Sequence, residues 1–495
     1  MAQKVIIIGG GIAGLSSGCY AQLNGYESEI YEMHNLPGGL CTAWHRKGYT
    51  FDGCIHWLVG SKSDTAMHRV WRTIGALAGQ PLHHHDEFVR ITDSDGRTVI
   101  QYTDLDRLER HLLDVSPADE DVIRELIEGA RTLVKLEMPV GKPRELFGPL
   151  DGLKMMWEMR PYLKVFMKYS KISVGEFAAR FKDPLLRNML TAVLDPRYNM
   201  IAFLATMGSL AAKDAGWPQG GSLAFARAAE KRYLELGGRI HYNSKVRKIL
   251  VEDNRAAGVE LADGRQVRAD AVISAADGYT TLYKLLGAEY VPDKIAKYYS
   301  GDYPTMTSMM VYMGIDYDLS GIPHSTVFPL DPPLEIAGQV HSYIGFKNYS
   351  FDPNMSPPGK CVVASVFHTD SDYWQELAKN REKYDTQKAR IARRVMDELE
   401  KRFPETVGRV EVTDVATPAT FTRYTGVWQG AYMSWISTPK SGNIMIPQRL
   451  QGLRDFYMAG LWTMGSAGLP GSAVSGRSAI QIICAEQNKQ FAADL

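Results

Sequence analysis

Three glycines at positions 9, 11 and 14 and a carboxylate at position 32 are the residues whose spacing most directly implies chemistry. Gly9-Gly10-Gly11-Ile12-Ala13-Gly14 has G-x-G-x-x-G spacing. In that pattern the first glycine permits a tight turn, the second lets a pyrophosphate approach the backbone, and the third lets a helix pack closely on a strand. The N–H groups at the start of the helix, those of Ile12 and Ala13, lack partners within it and carry partial positive charge, so they attract phosphate. Glu32 stands eighteen positions after Gly14. That is close to the spacing at which an acidic side chain takes ribose hydroxyls and disfavours a 2'-phosphate. These residues predict a dinucleotide site without deciding between NAD and FAD.

Such a loop works only if a strand delivers it and a helix leaves it. Lys4 to Ile8 reads as a buried parallel strand, and 13–23 carries small and apolar residues at helical spacing with Asn24-Gly25 as a stop. A second strand is expected at 28–31, ending in Glu32.

Downstream runs Met33-His34-Asn35-Leu36-Pro37-Gly38-Gly39-Leu40, a glycine pair that a plain NAD domain does not need, and then Arg46 through Gly53-Cys54-Ile55-His56-Trp57. Pro218-Gln219-Gly220-Gly221-Ser222 precedes a helical stretch. After it come short strands from Lys245 to Ser274, separated by the hairpin turns Asp253-Asn254 and Asp263-Gly264. At the far end a strand, Phe456 to Gly460, leads to Gly465 and Gly468-Leu469-Pro470-Gly471, with a helix expected from about Ser472 to Gln490.

These blocks resemble the FAD-dependent family that contains phytoene desaturases, carotenoid isomerases and retinol saturases. The resemblance implies an α/β fold: a discontinuous, Rossmann-like FAD-binding domain of amine-oxidase type, with an inserted α+β substrate domain. The FAD domain would comprise 1–70, 205–285 and 445–495, and the substrate domain with its helical lid 71–204 and 286–444. It also implies that Gly9, Gly11, Ile12, Ala13, Gly14, Glu32, Met33, Gly38, Gly39, Leu40 and Val246 hold the nucleotide, Val246 through its backbone at the adenine. Gly460, Gly468, Leu469, Pro470 and Gly471 would meet the ring end. One departure matters: Leu461-Trp462 follows Gly460, where many relatives carry an acid. The tryptophan version looks more like the retinol-saturase side of the family.

In the inserts, strands are expected at 308–315, 341–346 and 361–368 and a loop at 353–359, making a mixed sheet covered by helices. His56 is the candidate catalytic residue, since histidine can carry a proton near neutral pH. Trp57, Tyr424, Trp428 and Tyr432 are candidate substrate-binding residues lining an apolar tunnel. The stretch 153–168 mixes Met, Trp, Phe and Leu with Lys and Arg. Its first reading is one face of a packed helix interrupted by Pro161, and its second is a peripheral membrane contact. His83-His84-His85-Asp86 reads as a solvated turn rather than a metal site, because adjacent side chains diverge.

The predicted reaction is exchange of hydride between flavin and a carbon of a long, uncharged or weakly polar isoprenoid, polyene or fatty acyl chain. Saturation, desaturation and isomerisation stay open. The electron partner is unidentified; a quinone, a small redox protein, oxygen and transient NAD(P)H are the candidates. A flavin amine oxidase is the rival enzyme, and a lipid-binding protein of Rab escort or dissociation-inhibitor type the rival outside enzymes. Charges cancel, with 56 basic and 56 acidic residues, so no general attraction to nucleic acid is expected. Five cysteines without a C-x-x-C pair suggest neither a disulfide framework nor a zinc site. No secretory leader or membrane span is read, and a cytoplasmic protein is expected.

Overall fold

The computed structural model describes residues 2–493. Its first layer is a five-stranded parallel sheet drawn from distant parts of the chain. In spatial order the strands are Arg239–His241, Glu27–Tyr31, Lys4–Ile8, Ala271–Ser274 and Phe456–Met458. Val5 to Ile8 are all buried. A strand covered on both faces reads as a continuous apolar run, as this one does. All five strands fall within 1–70, 205–285 and 445–495, and the discontinuous Rossmann-like arrangement is present.

The helix after the first strand spans Ile12–Leu23, and its residues 12–21 are all buried. It is gripped from two sides at backbone distance. A Cβ on Gly14 would lie 1.9 Å from the Gly9 carbonyl oxygen, and one on Gly476 would lie 2.4 Å from that of Ala13. Helix Ile12–Leu23 therefore packs tightly on both its own strand and the C-terminal helix Gly468–Glu486. That helix starts at Gly468, four residues before the expected Ser472, because the Gly468-Leu469-Pro470 turn is itself helical. The expected three-stranded piece is an antiparallel sheet of Val246–Glu252, Arg255–Leu261 and Gln266–Arg268. Asp253 and Asn254 turn it with positive φ at both positions, the backbone that a tight hairpin demands.

The second layer is a seven-stranded sheet in the order Val410–Ala416, Ser308–Ile315, Cys361–His368, Gln339–Asn348, Ser325–Ile336, Glu87–Thr92, Thr98–Tyr102. The strands expected at 308–315 and 361–368 are present with those bounds, and that expected at 341–346 extends over 339–348. Four strands were not expected: Ser325–Ile336 and Val410–Ala416 of the second insert, and the first insert's Glu87–Thr92 and Thr98–Tyr102, which close one end of the sheet. Helix Arg381–Arg402 packs on Ser308–Ile315 and Val410–Ala416. A helical cluster that includes Glu120–Leu133, Pro184–Val193 and Met200–Ala211 forms a separate apolar core.

The stretch 153–168 departs from its first reading. Pro161 does interrupt the helix, with a 3-10 turn at Arg160–Tyr162. Yet helix Pro149–Met159 buries no residue, and Leu150, Leu153, Met156, Trp157 and Met167 are each more than 60% exposed. No helix among the described residues is long and apolar enough to cross a membrane.

Candidate functional site

The two layers enclose one continuous cavity of about 1210 Å³, larger than pockets for drug-sized ligands, which run to about 1,000 Å³. Its first half is built from the glycine loops. Gly11 caps helix Ile12–Leu23 with extended backbone and no side chain to cap the free N–H groups. The Gly38 N–H donates to the Gly10 carbonyl at 2.8 Å, and Gly38 and Gly11 form a parallel bridge. The second glycine pair thus lies directly against the first, joined backbone to backbone. Glu32 sits beside them, one carboxylate oxygen accepting from the Gly10 N–H at 2.6 Å and the other from the His34 N–H at 2.7 Å. Burial raises its pKa, and those N–H groups oppose the shift.

A Cβ on Gly11 would meet no protein atom closer than 3.7 Å, and its φ of −70° suits any residue. The fold itself therefore does not require glycine there. A ligand group lying against that backbone does require it, which is the fit expected of a dinucleotide pyrophosphate. Helix Gly468–Glu486 also begins at the cavity wall without a side-chain cap. Two helix N-termini therefore offer free N–H groups and partial positive charge to one elongated space.

Gly9, Gly11, Ile12, Ala13, Glu32, Met33, Gly38, Gly39, Leu40, Val246, Gly460, Gly468, Leu469 and Pro470 all line this cavity. Gly14 and Gly471 do not, since each is spent on packing: Gly14 against the Gly9 carbonyl, Gly471 against Ala467. Leu461 and Trp462 line it after Gly460, and Trp462 packs among Tyr299, Trp428 and Trp435.

The middle block is tied to the N-terminal one by Asp52. Its carboxylate accepts from the Ser222 N–H at 2.6 Å, the Ser222 hydroxyl at 2.7 Å and the Cys54 N–H at 3.1 Å. Burial pushes the Asp52 carboxyl up to about 6 against those donors.

The second half of the cavity faces the seven-stranded sheet. His56, Trp57 and Tyr432 line it, with the Trp57 ring edge-on to Phe88. Tyr424 and Trp428, expected beside them, do not. Tyr424 is 44% exposed and meets the His34 ring edge-on, whereas Trp428 stacks on Tyr279 behind the wall. Helix Pro418–Thr425 ends at Gly426, and the residues of this segment that line the cavity include Phe421, Thr422, Arg423, Val427 and Tyr432.

Of the histidine run, His83, His84 and Asp86 are exposed, as expected of a solvated stretch, and His85 departs from that reading. His83 belongs to a short strand paired with Trp217, and His85 projects into the cavity, where its ring stacks on His324 with centroids 3.4 Å apart. Burial drives His85 down to about 3, His324 to about 2 and His56 well below the usual histidine value, so all three are neutral near pH 7. No group of three metal-binding side chains occurs among the described residues. Sequence reasoning missed Lys347, which lies opposite Ser325 in the strand register and lines the same wall. Burial lowers its ammonium to about 7, opposed by the Asp52 charge.

Residues 12–484 match the flavin containing amine oxidoreductase family. The chain is 25% identical to the phytoene desaturase (lycopene-forming) of Pseudescherichia vulneris over 97% of its own length and 99% of that protein. It is 24% identical to a chloroplastic prolycopene isomerase of an Oncidium hybrid cultivar, over 99% and 84% respectively. Among solved structures, an oxidoreductase from Methanosarcina mazei aligns with a TM-score of 0.61 at 19% identity, over 97% of this chain and all of that one.

Proposed function

The chain belongs to the flavin containing amine oxidoreductase family, and on that premise we propose that it is an FAD-dependent oxidoreductase acting on carbon–carbon bonds of a long apolar substrate. A continuous cavity leading from the glycine loops into an apolar chamber carries the reading. The chamber wall includes Val89, Val327, Met310, Phe351 and Val366, which suit a hydrocarbon chain better than a small polar molecule. The relatives named as phytoene desaturase and prolycopene isomerase support an isoprenoid or polyene.

The residues would divide the work along the cavity. Gly9, Gly11 to Ala13, Gly38 to Leu40, Glu32, Met33 and Val246 would hold the dinucleotide, and Gly460 with Gly468 to Pro470 the ring end. Bound FAD supplies two-electron transfer with a substrate carbon. Trp57 and Tyr432 position the chain, while the apolar wall keeps water from the reacting carbon. His56, neutral at pH 7, serves as base or hydrogen-bond donor rather than as a cationic acid. The electron partner, whether NAD(P)H, a quinone, a small redox protein or oxygen, meets the ring transiently. Such substrates reside in membranes. The exposed Leu153, Met156, Trp157 and Met167, interspersed with Lys154, Arg160 and Lys164, form a surface suited to peripheral bilayer docking.

Anaerobically reduced protein mixed with retinoids, carotenoids, unsaturated fatty acids and amines tests the function. Flavin reoxidation with a mass gain of two hydrogens identifies a saturase, and unchanged mass with a shifted spectrum an isomerase. Turnover confined to amines refutes the proposal in favour of an amine oxidase.

A further inference from the structure

One charge in the chamber has no counterpart. Lys347 lines the cavity from the strand Gln339–Asn348, and its ammonium has neither hydrogen bond nor ion pair with any described residue. The opposite charge it feels is that of Asp52, whose oxygens are committed to Ser222 and the Cys54 N–H. Three imidazoles share this wall, and all of them feel the lysine: His56, His85 and His324. The His56 Nδ1 is buried without a partner, an orphan that native structures seldom leave.

Burying an unpaired ammonium is costly. An apolar chamber made only for hydrocarbon would hold a leucine or methionine at this position with gain. The same cluster repels a cationic amine. Its donors are instead arranged for an anionic oxygen group, because a carboxylate accepts from an ammonium and from imidazole N–H groups at once.

We propose that the wall formed by Lys347, His56, His85 and His324 binds a carboxylate at one end of the long apolar substrate. This deepens the preceding proposal and rests on its reading of the chamber as a hydrocarbon site. It replaces the uncharged chain expected from sequence with an amphipathic one, fixed at its polar end and so held in register along the cavity.

Equilibrium dialysis of the FAD-loaded protein against radiolabelled dodecanoic acid, and separately against radiolabelled dodecan-1-ol, measures the preference. The acid is expected to bind the wild type about 10-fold or more tightly than the alcohol, since a hydrogen bond to a charged group contributes more than a neutral one. Lys347→Met should bring the ratio to about one with alcohol affinity unchanged, and Lys347→Arg should keep the preference. An undiminished acid preference in Lys347→Met overturns the proposal, as does equal binding of both probes by the wild type. Loss of FAD or a changed flavin spectrum in Lys347→Met, with the acid preference retained, reassigns the ammonium to the cofactor and also overturns it. If neither probe binds the FAD-loaded wild type, the hydrocarbon reading of the chamber fails as well.

Discussion

Two glycines three residues apart separate cofactor chemistry from packing. At Gly11 an alanine Cβ would sit 3.7 Å from the Gly38 carbonyl oxygen, an ordinary contact, on a backbone that alanine adopts freely. Alanine is the poorer helix cap by about 0.5 to 1 kcal/mol. Restricting the unfolded chain returns about 0.4 to 1 kcal/mol, so the Gly11→Ala apoprotein should be as stable as the wild type. It should lose FAD, because the added methyl occupies the face that the pyrophosphate needs. FAD at about 100 times its Kd stabilises a protein that binds it by about 2.7 kcal/mol. Unfolding entropies scale to roughly 1 °C per kcal/mol for a chain of this length, so added FAD should raise the wild-type Tm by about 3 °C and leave Gly11→Ala unmoved. At Gly14 the same methyl would lie 1.9 Å from the Gly9 carbonyl oxygen. Helix and strand would have to separate, which costs more than about 3 kcal/mol in a packed core; Gly14→Ala should be poorly soluble or melt at least about 3 °C earlier, with or without FAD. Scanning fluorimetry and absorbance of flavin released on denaturation read both variants. Wild-type FAD content in Gly11→Ala, or a normal melt for Gly14→Ala, would refute this assignment of roles.

Stability should fall in acid through His85 and His324. Their folded pKa values of about 3 and about 2 lie below the unfolded value near 6.5. The unfolded chain therefore takes up protons first, and each residue costs about 1.4 kcal/mol per pH unit below 6.5. His324→Phe should show a smaller drop in Tm between pH 7 and pH 5 than the wild type, and an equal drop would contradict the burial argument. Asp52→Asn leaves one acceptor oxygen for three donors and sets an amide N–H against them, so it should cost about 2 to 4 kcal/mol in chemical denaturation; an unchanged midpoint would remove Asp52 as the tie between blocks. Leu153→Glu with Trp157→Glu, on a helix that buries nothing, should leave stability within about 0.5 kcal/mol and abolish sedimentation with anionic vesicles. Undiminished sedimentation would dismiss this surface as the docking face.

The N-terminal unit was legible because its signals are local. Strand, glycine turn, helix and second strand occupy 28 consecutive positions, Lys4 to Tyr31. The strands Ser308–Ile315 and Cys361–His368 were legible for the same reason, as apolar runs of strand length. Ser325–Ile336 escaped because its prolines, at 329, 332 and 333, interrupt the pattern. Of the first insert's two strands, Glu87–Thr92 pairs with a partner more than 200 residues away, and Thr98–Tyr102 pairs only with Glu87–Thr92 at the sheet edge.

The sequence by itself determined a dinucleotide loop, its acidic partner, the parallel sheet that delivers them and the kinship of the whole chain. Tertiary structure alone decided which side chains line the cavity. Tyr424 and Trp428 look like wall residues in a one-dimensional string, yet one is exposed to solvent and the other lies behind the wall. His85, His324 and Lys347 look unrelated, yet the register that sets Lys347 opposite Ser325, and the stacking of His85 on His324, gather them with His56 on the wall of one cavity. Glycine motifs act through the backbone within a few residues and so leave a mark in sequence. A cluster assembled across strands and loops leaves none, because its members share only the space that sheet register and burial assign them.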